Sequence, residues 1–239
     1  MKCGVVVFPG SNCDHDVYHV LKHVLEQETT FLWHQDDSLQ GCELIVLPGG
    51  FAYGDYLRAG ALAALSPVMG AVKRHAAAGG LVLGVCNGFQ VLLEAGLLPG
   101  AMRRNENLRF QCLDVHVRTE RADLPFTRGL KAGQVLRLPI AHAEGNYEDS
   151  PARLDALEAN GQVVFRYCEP DGRITPGSNP NGAARNVAGI CNGAGNVLGL
   201  MPHPERCCEA VLGNTDGLAL FAGAVAAGSR HLQAAGAAR

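Results

Sequence analysis

The sequence predicts an α/β fold: an open, mostly parallel sheet with helices on both faces, and antiparallel strands added in the C-terminal half. Short β-branched runs alternate with helical stretches over the first hundred residues, and glycine-rich turns follow three of those runs. From about Leu113 the texture changes to short strands separated by turn residues.

Val5–Phe8 reads as the first strand and Asp14–Glu26 as the helix after it. Leu44–Leu47 is followed by a helix over Pro67–Ala78, and Leu81–Val85 by one over Gly88–Ala95. Parallel neighbours need such crossovers, and in open α/β sheets function gathers at the carboxyl ends of the strands. Three turns lie there: Pro9-Gly10-Ser11-Asn12, Pro48-Gly49-Gly50-Phe51 and Val85-Cys86-Asn87-Gly88. In the second half, Asn160-Gly161, Asn181-Gly182 and Asn192-Gly193 read as hairpin-type turns, the last joining Val187–Cys191 to Val197–Met201. A helix from about Thr215 to Ala227 closes the fold, and residues 228–239 read as a frayed tail. No linker, charge block or repeat divides residues 1–239, which read as one domain.

Composition excludes several classes. The chain is 47% hydrophobic and 18% charged, a globular profile. With 20 basic against 23 acidic residues there is no field to hold a nucleic acid by counterion release. The apolar stretch Leu218–Gly228 falls short of the ~20 residues of a membrane span, and Cys3–Phe8 is too short for a signal peptide. A cytoplasmic chain without membrane or nucleic-acid partners is expected. Nine cysteines without a C-x-x-C pair disfavour disulfides and structural zinc, so no metal site is expected.

Gly84-Val85-Cys86-Asn87-Gly88 has the form of a nucleophile elbow with cysteine in place of serine, set between a strand and a helix. Such a turn exposes the Cys86 sulfur and aims the Asn87 N–H where negative charge develops. Bringing a thiol of pKa ~8.5 to neutrality is worth about 2 kcal/mol, and a helix terminus supplies only ~0.3 to 1. A histidine partner is therefore needed. His15, His19 and His23 recur every four residues, but no H-E-x-x-H pattern accompanies them, and they read as a solvated face. Met201-Pro202-His203-Pro204-Glu205 follows an apolar run, and in extended backbone Glu205 can reach one nitrogen of His203 while the other faces a nucleophile. Cys86, His203 and Glu205 thus form a candidate catalytic triad, with backbone N–H groups of Gly50 and Asn87 as the oxyanion donors. Gly193–Gly199 imitates a dinucleotide loop but leads into a strand, and no phosphate-binding loop of the G-x-x-x-x-G-K type is present. On these motifs alone, a stand-alone thiol hydrolase and a catalytically silent binding module both stay open.

The elbow, the Pro48-Gly49-Gly50 turn and His203-Pro204-Glu205, in that order, resemble the class I (triad) glutamine amidotransferases. Within that class the chain is most similar to the glutaminase subunits of phosphoribosylformylglycinamidine synthases. The passages that carry the likeness include Phe8–Asp14, Pro48–Arg58, Gly84–Gln90, Arg104–Asn107, Pro139–Tyr147 and Asn196–Arg206. The resemblance implies that Cys86 attacks the side-chain amide of glutamine, that His203 moves the proton to departing ammonia, and that a glutamyl thioester is then hydrolysed. Gln90 matches a position that contacts bound glutamine. The resemblance further implies no cofactor on this chain. ATP and magnesium are expected on a separate synthetase subunit (PurL type), which uses the ammonia to convert formylglycinamide ribonucleotide to the amidine, with a small bridging subunit (PurS type) as third partner. The alanine-rich tail and Cys207-Cys208 depart from the family pattern without touching the triad.

Overall fold

The computed structural model describes the backbone of residues 1–236 and the side chains of residues 1–228. Strand β1 (Lys2–Val7) lies between β2 (Glu28–Trp33) and β3 (Leu44–Leu47), parallel to both. β4 (Leu81–Val85) continues the parallel run beside β3, and the late strand β11 (Val197–Leu200) inserts next to it, also parallel, with Leu200 opposite Val85. Beyond β11 every pairing is antiparallel: β10 (Val187–Cys191), β9 (Val163–Cys168), β6 (Gln111–Thr119) and β7 (Val135–His142). The order of the nine-stranded sheet is β2-β1-β3-β4-β11-β10-β9-β6-β7. A separate two-stranded sheet pairs β5 (Ala101–Arg103) with β8 (Asn146–Glu148).

The two strand types differ as their chemistry requires. β3 and β4 are buried at every position because helices cover both faces of a parallel sheet, whereas β7 alternates between buried and more exposed residues. Helix α1 (Asp14–His19) runs on into a π turn over Val20–Val24, α2 (Pro67–Ala77) starts on a proline, and α3 (Asn87–Glu94) leaves the end of β4. Helix α4 (Pro151–Ala159) is capped by Ser150, whose side chain accepts from the Arg153 N–H. Helix α5 spans Leu218–Gly236. Buried apolar residues from Cys3 to Ala224 form one continuous core across both halves. No helix of the described residues is long and apolar enough to cross a membrane.

Several expectations need correction. Of the three Asn-Gly pairs only Asn192-Gly193 turns a hairpin, with Asn192 accepting from the Asn196 and Val197 N–H groups. Asn160-Gly161 ends α4, where Gly161 takes φ +62°, and Asn181-Gly182 sits in a loop with Asn181 fully buried. Asn-Gly favours left-handed backbone, which a helix end uses as readily as a hairpin. Helix α5 runs past Ala227, where the expected helix ends, to Gly236, and residues 237–239 of the expected tail lie outside the described residues. β2 and α4 escaped the sequence reading. The first mixes threonine with apolar residues, and the second buries only Leu154 and Leu157.

Candidate active site

Cys86 stands between β4 and α3 with φ 49° and ψ −106°, a conformation that L-residues adopt only under strain of about 1–3 kcal/mol. The surroundings hold it there. Its N–H donates to the Leu200 carbonyl at 2.8 Å, and its carbonyl accepts from the Gln90 N–H at 3.1 Å. The flanking glycines are steric necessities: a Cβ on Gly84 would stand 2.7 Å from the Gly88 carbonyl oxygen, and one on Gly88 would collide with the Leu47 carbonyl oxygen. The spacing of the elbow follows from the close approach of β3, β4 and α3.

His203 leaves the end of β11, the strand beside β4, so the two strand ends deliver Cys86 and His203 to the same rim. Pro204 opens a single turn of 3₁₀ helix over Pro204–Arg206 that swings Glu205 back beneath the imidazole. His203 Nδ1 and Glu205 Oε1 are 2.6 Å apart, and both residues are buried. Burial would depress the imidazole pKa, but the Glu205 carboxylate and then the Cys86 sulfur hold it well above the ordinary histidine value. Among the described residues His203 Nε2 has no hydrogen-bond partner. Gly49 makes room for the ring, since a Cβ there would lie 2.6 Å from His203 Cε1. The ligand atoms of Cys13, His203 and Glu205 lie within 4.8 Å of one another. The 2.6 Å separation of imidazole and carboxylate is nevertheless a charge-assisted hydrogen bond, and Cys13 Sγ takes its own donor, Arg206 Nη2, at 2.9 Å.

Gly50 has φ +146° and lies against the Pro9–Asn12 turn, fastened by Phe51 N–H to Gly10 carbonyl at 2.9 Å and Asn12 N–H to Gly49 carbonyl at 3.3 Å. Any Cβ at Gly50 would meet the Asn12 nitrogen at 2.6 Å. Among the described residues neither the Gly50 nor the Asn87 N–H donates to another backbone group. A small cavity of about 60 Å³ opens over Cys86, lined by Gly50, Phe51, Asp55, Gln90, Glu144 and the Ala141–Ala143 stretch. Gln90 is locked in its wall: Nε2 donates to the Glu144 carbonyl at 2.6 Å, and Oε1 accepts from Asn87 Nδ2 at 2.9 Å.

The sequence reading assigned no role to Asp55, His142 or Asn181, although Asp55 and His142 fall in passages that carry the family likeness. His142 Nε2 lies 3.1 Å from Asn181 Nδ2, which also donates to the Tyr167 hydroxyl at 3.2 Å, and His142 Nδ1 has no partner. Burial, then the neighbouring His203, push the His142 imidazole down to about 3, so it is neutral. The other histidine candidates are elsewhere. His15, His19 and His23 are exposed, the His19 and His23 rings lie 5.5 Å apart, and His19 Nε2 meets Glu209 Oε2 at 2.8 Å. Cys207 and Cys208 are buried behind the His203 turn, both thiols raised by burial, Cys207 to about 12.

The model of the CobB/CobQ-like glutamine amidotransferase domain matches residues 1–219. Phosphoribosylformylglycinamidine synthase subunit PurQ of Moorella thermoacetica is 58% identical over 225 residues, which cover 94% of this chain and 95% of that protein. Subunit PurQ of Koribacter versatilis is likewise 58% identical, over 95% of this chain and 98% of its own length. Among solved structures, a chain of PurLQS from Thermotoga maritima superposes with a TM-score of 0.83 at 41% identity, covering 94% of this chain and 97% of that one.

Proposed function

From the premise that this chain belongs to the CobB/CobQ-like glutamine amidotransferase family, we propose that Cys86, His203 and Glu205 carry out its glutamine hydrolysis. The chain is a glutaminase subunit of the phosphoribosylformylglycinamidine synthase type and serves purine biosynthesis. One observation carries the residue assignment: a strained cysteine elbow at the end of β4 faces a buried His203–Glu205 pair at the end of the adjacent parallel strand.

In this reading the Cys86 thiol passes its proton to His203, and the thiolate attacks the side-chain carbonyl carbon of glutamine. The resulting oxyanion is met by the Gly50 and Asn87 N–H groups, where each such donor contributes about 2.7–4 kcal/mol. Glu205 stabilises the imidazolium, which then gives its proton to the amide nitrogen as the carbon–nitrogen bond breaks and ammonia departs. His203, neutral again, takes a proton from water, whose oxygen attacks the thioester. The carbon–sulfur bond breaks, and glutamate leaves as Cys86 recovers its proton. Gln90, fixed at both ends of its amide, bounds the glutamine pocket.

The ammonia passes to a synthetase subunit of the PurL type, with a small PurS-type subunit as third member of the complex. ATP and magnesium act on the synthetase and not on this chain. The assembly named for the Thermotoga maritima structure supports this arrangement. We place the chain in the cytoplasm and treat residues 1–239 as a single amidotransferase domain, as its continuous core suggests. The test is glutamate release by wild type and Cys86→Ala with the synthetase partner present. The variant is expected to lose at least ~10³-fold in turnover, and persisting activity would remove Cys86 as nucleophile.

A further inference from the structure

The cavity over Cys86 contains a carboxylate with no counter-charge. Asp55 lines it together with Glu144, and the guanidinium groups nearby are engaged elsewhere: Arg58 Nη2 with Glu94 at 2.6 Å, Arg104 with Glu144 at 3.9 Å. Among the described residues Asp55 takes part in no ion pair, and its side-chain hydrogen bond comes from the neutral amide of Asn87, Nδ2 to Oδ1 at 3.2 Å. Burial and then the facing Glu144 raise its carboxyl to about 6, the response of an acid that lacks a cation. The same cavity holds a second unsatisfied group. His142 lines it, is 3% exposed, and has an unpartnered Nδ1. The polar lining is incomplete without a ligand.

Asp55 is also held in place at a cost. It sits at φ +54° directly after Tyr53 at +55° and Gly54 at +67°, left-handed backbone that a non-glycine residue adopts only when its surroundings enforce it. The enforcing residue is Asn87, next to the nucleophile. Its Oδ1 accepts from the Ala52 N–H at 3.1 Å while its Nδ2 donates to both Asp55 and Gln90. One side chain therefore fixes the carboxylate of Asp55 relative to Cys86.

Glutamine brings a neutral amide to the sulfur and an α-ammonium at its other end. We propose that Asp55 is a specificity-determining residue for the amidotransferase reaction, its carboxylate receiving the α-ammonium of glutamine. This rests on the reading of the site as a glutaminase. Glu144, already offset by Arg104, plays the lesser part.

Glutaramate, which is glutamine without the α-amino group, separates the possibilities. In the complex with the synthetase partner, ammonia release by wild type is expected to show kcat/KM at least about 30-fold lower for glutaramate than for glutamine. Asp55→Asn keeps an acceptor for Asn87 Nδ2 and tolerates left-handed backbone, so it removes only the charge. It is expected to lose about 30-fold in kcat/KM on glutamine, mostly through KM, and to change glutaramate by less than about threefold. Equal use of the two substrates by wild type, or equal losses on both in Asp55→Asn, would overturn the proposal. Failure of wild type to deamidate glutamine at all would instead bring down the glutaminase reading.

Discussion

The parallel and antiparallel halves of the sheet contribute to the site in different ways. All strands of the parallel half point the same way, so the ends of β1, β3, β4 and β11 gather the Ser11, Gly50, Cys86 and His203 turns at one rim. In the antiparallel half alternate strands point away, and the site receives only the end of β7 and the loop after β9 that holds Asn181. Parallel topology supplies the proposed reacting groups. The antiparallel half supplies a wall that includes the neutral His142, with the Asn181 amide buried behind it.

The sharpest way to break this division is His203→Ala in the parallel half, expected to slow glutamine hydrolysis by ~10²-fold or more with the fold retained. Stopped-flow or steady-state glutamate release measures it, and unchanged turnover would take the imidazole out of the chemistry. Next in size is Gly88→Ala, which drives a methyl group against the Leu47 carbonyl and is expected to cost about 3 kcal/mol in denaturant unfolding. A variant as stable as wild type would show that β3 and α3 can separate there.

The smallest effect tests the antiparallel half. His142→Asn is expected to cost about 1–3 kcal/mol at pH 7 through its lost contact with Asn181. The folded protein holds His142 neutral down to about pH 3, whereas the unfolded chain protonates near 6.5. Its stabilising contribution is thus present above pH 6.5 and fades as pH falls toward 3, so the gap between wild type and variant is expected to narrow by about 2 kcal/mol between pH 7 and pH 5. Urea unfolding at the two pH values reads this directly, and a constant gap would show that the histidine is not kept neutral.

Legibility followed the same division. Gly84 and the prolines around His203 act on backbone within a few residues of themselves, so their spacing could be read locally, whereas Gly88 was read from the motif although its steric reason, the Leu47 carbonyl, lies across the sheet. The Gly49 signal was read only in part. The Pro48-Gly49-Gly50 turn suggested an oxyanion donor, but the room Gly49 leaves for the His203 ring needs a residue from the far end of the chain. Asp55 and His142 gave no local signal of a role. Each has its meaning through a distant partner, Asn87 for one and Asn181 for the other.

The sequence alone determined the strand–turn–helix grammar and the cysteine at its elbow, because each depends on backbone rules acting over a handful of residues; it paired His203 with Glu205 on the expectation of extended backbone, whereas the chain makes that pair through a 3₁₀ turn at Pro204–Arg206. Tertiary structure decided that β7, at the edge of the sheet and four places from β11 in strand order, bends back over the site. There the Pro139 carbonyl accepts the His203 N–H at 2.8 Å, and the Ala141 carbonyl lies 3.9 Å from Cys86 Sγ. That curvature arises from sheet twist and from packing summed over the whole core, and no short segment encodes it.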